Sequence, residues 1–253
     1  GCLVEYYGKP KMAYYYAKKS CSQVDISCVY EDLECRPDKP LDMEVWVSNL
    51  LSDQLEGSRY RWRIFNTNGK LLWKEEKSVD IPALKSDIAG KIRWRPSPDM
   101  GGDVALVYVE LMSSADSIMA DHLYTFGIRD VAPAQQEGEQ QEPLLRGLLE
   151  APGSRLEIMA KNVFVNEDQE EWRTVLEIKN REVNNALLVR LDAETTGDYQ
   201  VYFDRNYFFL PAGETCHAES KIVFPGPEIS TDQVVFTAKA WNSAKESATV
   251  ELK

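Results

Sequence analysis

The sequence predicts an all-β chain of two sandwiches in tandem, preceded by a short helical segment. Apolar and polar residues alternate along the chain from residue 21 to about residue 130, and the same style resumes after residue 144. Turn-forming residues interrupt that alternation at short intervals. Between the halves, residues 131–143 (VAPAQQEGEQQEP) form a polar tract without periodicity, which reads as a linker. With 253 residues the chain has room for about two domains of ordinary size.

Residues 1–20, GCLVEYYGKPKMAYYYAKKS, read as a loop followed by a short helix, with Pro10 near its start and Lys18 and Lys19 in its last turn. Such a helix is marginal alone and needs a surface to pack on. From residue 21, strand patterns follow one another. Tyr60, Trp62 and Ile64 take one face and Arg59, Arg61 and Arg63 the other; Ile92 and Trp94 alternate with Lys91, Arg93 and Arg95. Met43, Val45 and Val47 alternate with Asp42, Glu44 and Trp46. Asn68-Gly69 supplies a hairpin turn between strands ending at Phe65 and beginning at Leu71. Val104 to Leu111 and His122 to Ile128 complete about seven strands, the count of an immunoglobulin-like sandwich, without the Cys–Trp–Cys arrangement of antibody domains. In the second half, Leu156 to Ile158, Trp172 to Ile178, Ala186 to Leu191 and Val234 to Trp241 read as strands. Gly153, Asn180, Asn184-Asn185, Gly197, Pro211-Ala212-Gly213 and Pro225-Gly226-Pro227 punctuate them. The result is a second immunoglobulin-like sandwich.

The formal net charge of −12, from 41 acidic and 29 basic side chains, argues against a nucleic-acid partner. No run of about 18 apolar residues exists to span a membrane as a helix. Gly1 leads straight into a tyrosine-rich segment without a secretory leader, and the expectation is that the natural chain begins upstream. Neither half carries a dinucleotide fingerprint or a phosphate loop, so no cofactor is expected. Five cysteines make an odd set; Cys21, Cys28 and Cys35 are seven apart, a step unlike the close pairs of zinc sites, and read as buried or idle thiols.

Candidate chemistry is sparse. His122 and His217 each lie in an expected strand, outside any nucleophile motif, and read as structural or solvent-facing. Asn166-Glu167 imitates the acid/base dipeptide of barrel glycosidases, yet it opens the run Asn166 to Glu171, which reads as a charged hairpin. Arg59, Arg61, Arg63, Lys91, Arg93 and Arg95 make up a basic face, expected to be the solvated side of a sheet with acids as cross-strand partners; the sharper alternative is a docking surface. The tryptophans at 46, 62, 73, 94, 172 and 241 mostly read as sandwich core, with the facing of Trp46 and Trp73 open.

Tyr6-Tyr7-Gly8-Lys9-Pro10-Lys11-Met12-Ala13-Tyr14-Tyr15 resembles the last loop and helix of the catalytic barrel in family 2 glycoside hydrolases of the β-mannosidase and exo-β-glucosaminidase branch. Ala186 to Arg190, then Phe203-Asp204-Arg205-Asn206-Tyr207-Phe208-Phe209-Leu210-Pro211-Ala212-Gly213-Glu214, resemble their terminal domain, and Lys239-Ala240-Trp241-Asn242 its closing string in part. The chain differs by writing Asp204-Arg205-Asn206 for an adjacent Asp-Asn, and Pro211-Ala212-Gly213 for Pro-Gly. This resemblance implies a barrel remnant at 1–20, sandwiches at 21–130 and 144–253, and the linker at 131–143 between them. It implies a retaining, exo-acting parent enzyme whose catalytic glutamates lie upstream, so no catalytic, cofactor or metal residue is carried over to this chain. Its partners would be the parent's own barrel and an oligosaccharide at the cleft edge. The alternatives are an independent carbohydrate- or protein-binding module, or a structural protein of tandem domains.

Overall fold

The computed structural model describes residues 3–5, 8–100, 104–129, 144–166, 171–196, 198–224 and 233–251. Tyr6, Tyr7, the expected linker 131–143, Glu167, Gly197 and the Pro225-Gly226-Pro227 turn lie outside the described residues. The chain divides into two compact units: Lys19–Ala151, and Pro152–Lys253 together with Gly1–Lys18.

The first unit contains β1 (Val24–Val29), β2 (Glu34–Cys35), β3 (Leu41–Asn49), β4 (Leu55–Phe65), β5 (Leu71–Ile81), β6 (Lys85–Trp94), β7 (Val104–Met112) and β8 (Ile118–Ile128). One sheet runs β1-β3-β6 and the other β2-β8-β7-β4-β5. Alternation does the folding here: Met43, Val45, Val47, Ile92 and Trp94 face inward from one sheet, and Tyr60, Trp62, Ile64 and Val107 from the other. Tyr60 and Trp62 stack with centroids 5.6 Å apart. Gly90 sits where β6 bulges against β3, and a Cβ there would lie 2.2 Å from the Tyr60 hydroxyl, so glycine makes room for the core tyrosine. The Asn68-Gly69 turn forms as read: β4 ends at Phe65, β5 starts at Leu71, and Gly69 takes φ 79°. Asn66 closes it, accepting the Lys70 N–H on its side chain at 2.9 Å.

The second unit contains α1 (Met12–Ser20) up to Lys18, and β9 (Leu156–Asn166), β10 (Glu171–Asn180), β11 (Ala186–Glu194), β12 (Gln200–Phe203), β13 (Phe208–Leu210), β14 (Thr215–Val223), β15 (Gln233–Lys239) and β16 (Glu246–Glu251). Its sheets run β12-β14-β10-β9 and β13-β11-β15-β16. The last expected strand is shorter than read, ending at Lys239, and Trp241 stands in the following turn. The helix finds its packing surface in this unit, where Tyr15 joins the core.

The two sandwiches repeat one topology. In each, the first, second and fifth of the shared strands make one sheet (β1, β3, β6 and β9, β10, β14), and the others pair in the order β8-β7-β4-β5 and β16-β15-β11-β13. A buried asparagine marks the repeat. Asn49, ending β3, donates from Nδ2 to the carbonyls of Asp53, Ile81 and Pro82 and accepts the Leu51 N–H. Asn180, ending β10, donates to the carbonyls of Asn184, Leu210 and Pro211 and accepts the Glu182 N–H. Each amide ties the end of one sheet's strand to an apolar-Pro step leaving the other sheet.

Candidate functional site

The two histidines both lie on strands, as read. His122 on β8 lies 2.9 Å from Asp25 on β1, linking the edges of the two sheets of its sandwich. His217 is exposed on β14, opposite Glu177 at 3.5 Å. Among the described residues, no group of three or more His, Cys, Asp or Glu is placed to hold a metal ion, and no helix is long and apolar enough to cross a membrane. Cys21 is exposed, while Cys28 and Cys35 are buried on strands of opposite sheets. Burial pushes both buried thiols up to about 12, which keeps them protonated.

The single basic face expected from the sequence does not exist. Arg59, Arg61 and Arg63 stand on β4 of the five-stranded sheet, whereas Lys91 and Arg93 stand on β6 of the three-stranded sheet, so their outward faces point to opposite sides of the sandwich. Alternation reports which residues share a face of one strand, not which strands share a sheet. Acids do partner them, as expected: Glu44 lies 3.1 Å from Lys91 and Asp42 2.9 Å from Arg93. On β4 the arrangement is not solvated. Glu110 on β7 is 0% exposed and receives both guanidiniums, Arg61 at 2.8 Å through Nε and Nη2 and Arg63 at 3.2 Å through the same two atoms. Arg63 also lies over the rings of Phe65 and Tyr108 at 5.5 and 5.4 Å. Two bidentate partners give the buried carboxyl group the opposite charge and the hydrogen bonds that its removal from water demands. The one sequence signal for it was a lone acid in the apolar strand VALVYVELM, opposite Arg-x-Arg.

Of the six tryptophans, Trp62, Trp94 and Trp172 are core. Trp46 faces outward on β3, half-buried beside Ile88; Trp73 lies on edge strand β5; and Trp241 is 53% exposed in its turn. Trp46 and Trp73 stand on different sheets of the first sandwich. Trp241 is nonetheless held firmly. The next residue, Asn242, accepts the Leu187 N–H at 3.0 Å and donates to the carbonyls of Pro152 and Asn185 at 2.8 Å each.

Among the depressions of the described residues, two involve residues singled out in the sequence. One of about 440 Å³ in the first unit is lined by Tyr30, Glu31, Asp32, Lys39, Asp42 and Lys91, and its lysines are engaged by Asp32 and Glu44. The other, about 260 Å³, lies in the second unit where Gly8 and Lys9 meet Tyr199, Gln200 and Val201. Beside it, Lys9 Nζ is 2.6 Å from Asp192, and Lys18 Nζ donates to the Asp204 carbonyl at 2.8 Å. The opening string is thereby brought against the string at 203–214, two sequence motifs that no local reasoning connects.

Residues 42–127 match the family model described as the Mannosidase Ig/CBM-like domain. No curated protein sequence matches the chain. The exo-chitosanase CsxA of Amycolatopsis orientalis superposes with a TM-score of 0.70 at 18% identity, over 98% of this chain and 29% of that one. The β-D-mannosidase of Dictyoglomus thermophilum gives 0.64 at 17% identity, over 96% of this chain and 24% of that one. At such identity the likeness establishes the fold, and the chain spans under a third of either enzyme's length. These matches bear out the family 2 glycoside hydrolase resemblance carried by the sequence strings: residues 42–127 match a Mannosidase Ig/CBM-like domain, and the chain has the fold of part of the exo-chitosanase and of the β-D-mannosidase.

Proposed function

We propose that the chain is a non-catalytic accessory region of a family 2 glycoside hydrolase, bracing a catalytic barrel and bordering its substrate cleft. One observation carries the reading: 98% of this chain is covered in the superposition on an exo-chitosanase, and only 29% of that enzyme. The ordered carboxylates support it, because those best buried are committed to structure. Glu110 is clasped by two arginines, and Glu171 by Arg173 and Lys221. Neither leaves a free acid beside a free nucleophile, the pair that retaining hydrolysis requires. The parent enzyme is read as a retaining, exo-acting β-mannosidase or β-glucosaminidase.

The test has two arms. The isolated chain, offered nitrophenyl β-mannoside and β-glucosaminide, shows no turnover; measurable hydrolysis refutes the reading. In the parent enzyme, deletion of residues 21–253 lowers both thermal stability and activity. Full activity and an unchanged substrate preference after that deletion would overturn the bracing and cleft roles.

A further inference from the structure

We propose that the second sandwich is built as a clamp for the segment ahead of the first sandwich, through residues 3–5 and 8–18. The inference deepens the accessory reading only in what it implies for a preceding domain; the clamp itself rests on contacts within one unit. Nine residues make α1, and Tyr15 is the one among them that is buried. A helix of that length has no stability of its own. Its order comes from the surface that receives Tyr15.

That surface is specific. Tyr15 is 5% exposed, with its ring 5.9 Å from Tyr207 and 5.3 Å from Tyr14, and the Asn206 side chain and the Phe203 backbone lie near its hydroxyl. Asn206 is itself fixed, accepting the Leu191 N–H at 2.7 Å and donating to the Leu191 carbonyl at 2.9 Å. Tyr207 holds φ at 55°, a left-handed conformation that tyrosine rarely adopts, and the ring it presents is the one Tyr15 meets. Ahead of the helix, the chain closes a loop on itself: the Lys11 N–H reaches the Leu3 carbonyl at 3.0 Å and the Glu5 N–H the Lys9 carbonyl at 2.9 Å. Gly8 turns that loop at φ 84°, close against Gln200. Lys9 then projects to Asp192, which Arg190 also holds at 3.1 Å, and Lys18 ends the contact on Asp204. Shape, an ion pair and a strained aromatic all converge on one peptide. If a barrel precedes α1 in a longer enzyme, its last element is tied to the last sandwich.

The experiment uses the full chain with a protease site introduced between Ser20 and Gln23. The background is Lys19→Ala, because Lys19 bonds Asp121 of the first unit. After cleavage, peptide 1–20 is expected to co-elute with the remainder at micromolar concentration. Tyr15→Ala is expected to weaken retention by on the order of 100-fold, the scale of truncating a buried aromatic. Lys9→Ala, a milder variant that leaves the core untouched, is expected to weaken it about two- to fivefold. Circular dichroism of the cut chain verifies that the sandwiches stay folded. Free elution of the unmodified peptide from a folded remainder overturns the proposal, as does Tyr15→Ala binding as tightly as the parent peptide. Neither result depends on whether the chain comes from a glycosidase.

Discussion

Replacing Asn180 by alanine strands several hydrogen-bonding groups at once. The side chain is 0% exposed, and its Nδ2 serves carbonyls at 2.8, 3.1 and 3.3 Å while its Oδ1 accepts one N–H at 3.3 Å. An amide has two protons for those three carbonyls, so about three net bonds are at stake, each worth about 1 kcal/mol. The expected loss is about 3 kcal/mol. In a unit of this size that lowers the melting midpoint by roughly 10–20 °C. Asn180→Asp sharpens the test: it keeps the shape but turns the donor into a buried negative charge facing carbonyl oxygens, so it must destabilise more than alanine does. Asn49→Ala is expected to cost the same in the first sandwich, where the amide is equally buried and makes the matching four contacts at 2.9–3.3 Å. Scanning calorimetry and urea unfolding of the full chain measure both, each variant lowering the transition of its own unit. An alanine variant within about 0.5 kcal/mol of the parent, the range of an ordinary surface change, refutes the reasoning. So does an aspartate variant more stable than the alanine one.

Glu110→Ala leaves two guanidiniums facing a dry site without their anion and is expected to cost about 3–5 kcal/mol in urea unfolding, with Glu110→Gln milder; equal stability of Ala variant and parent would mean the cluster is not holding the sheet. Alkylation of the native chain by iodoacetamide is expected to mark Cys21 and spare Cys28 and Cys35, whose thiols burial holds up at about 12; site-resolved mass spectrometry reads this, and rapid labelling of either buried thiol counts against it. Lys221 first, and then Arg173, hold the Glu171 carboxyl below its ordinary value of 4.5. Its folded value is therefore depressed, so its stabilisation is complete above 4.5 and is lost as pH falls through the folded value. Glu171→Gln should differ from the parent at neutral pH and converge with it in acid; a gap that is constant down to strongly acid pH contradicts the pairing.

Alternation made most strands legible, and with them the two cores. Strands longer than a few residues with one wet face announce themselves: Leu41–Asn49 has every second side chain buried. Phe208–Leu210 is buried on all three residues and Glu34–Cys35 is two residues long, so neither offers a period to read. Asn180 was legible only as punctuation, because its partners at 210 and 211 are distant in sequence. The same separation hid Glu110 from its arginines and the opening segment from Asp192 and Asn206. Long-range polar contacts leave no local pattern, since one Asn or Asp looks alike in a turn and in a core. What could have been seen is the recurrence of an aliphatic strand ending in Asn, followed about 30 residues on by an aliphatic residue and Pro, a spacing that both sandwiches share because loop closure across one hairpin sets it.

That recurrence also indicates where function resides. Strands common to both sandwiches, with their asparagine clasps, are what the fold needs to exist, and both copies keep them. The differences lie in what each copy adds. The first adds β2, parallel to the edge of β8, and a charged cluster under β4 and β7. The second adds β12 beside β14, followed by the stretch Asp204 to Tyr207 leading into β13. Tyr207 and Asn206 beside Tyr15 and the Asp204 carbonyl that Lys18 reaches all fall on that addition, and Gly8 packs on Gln200 at its start. A sandwich meant only to fill space has no use for a left-handed tyrosine and a doubly bonded asparagine at one edge. The added strand and its loop are accounted for by the peptide they hold.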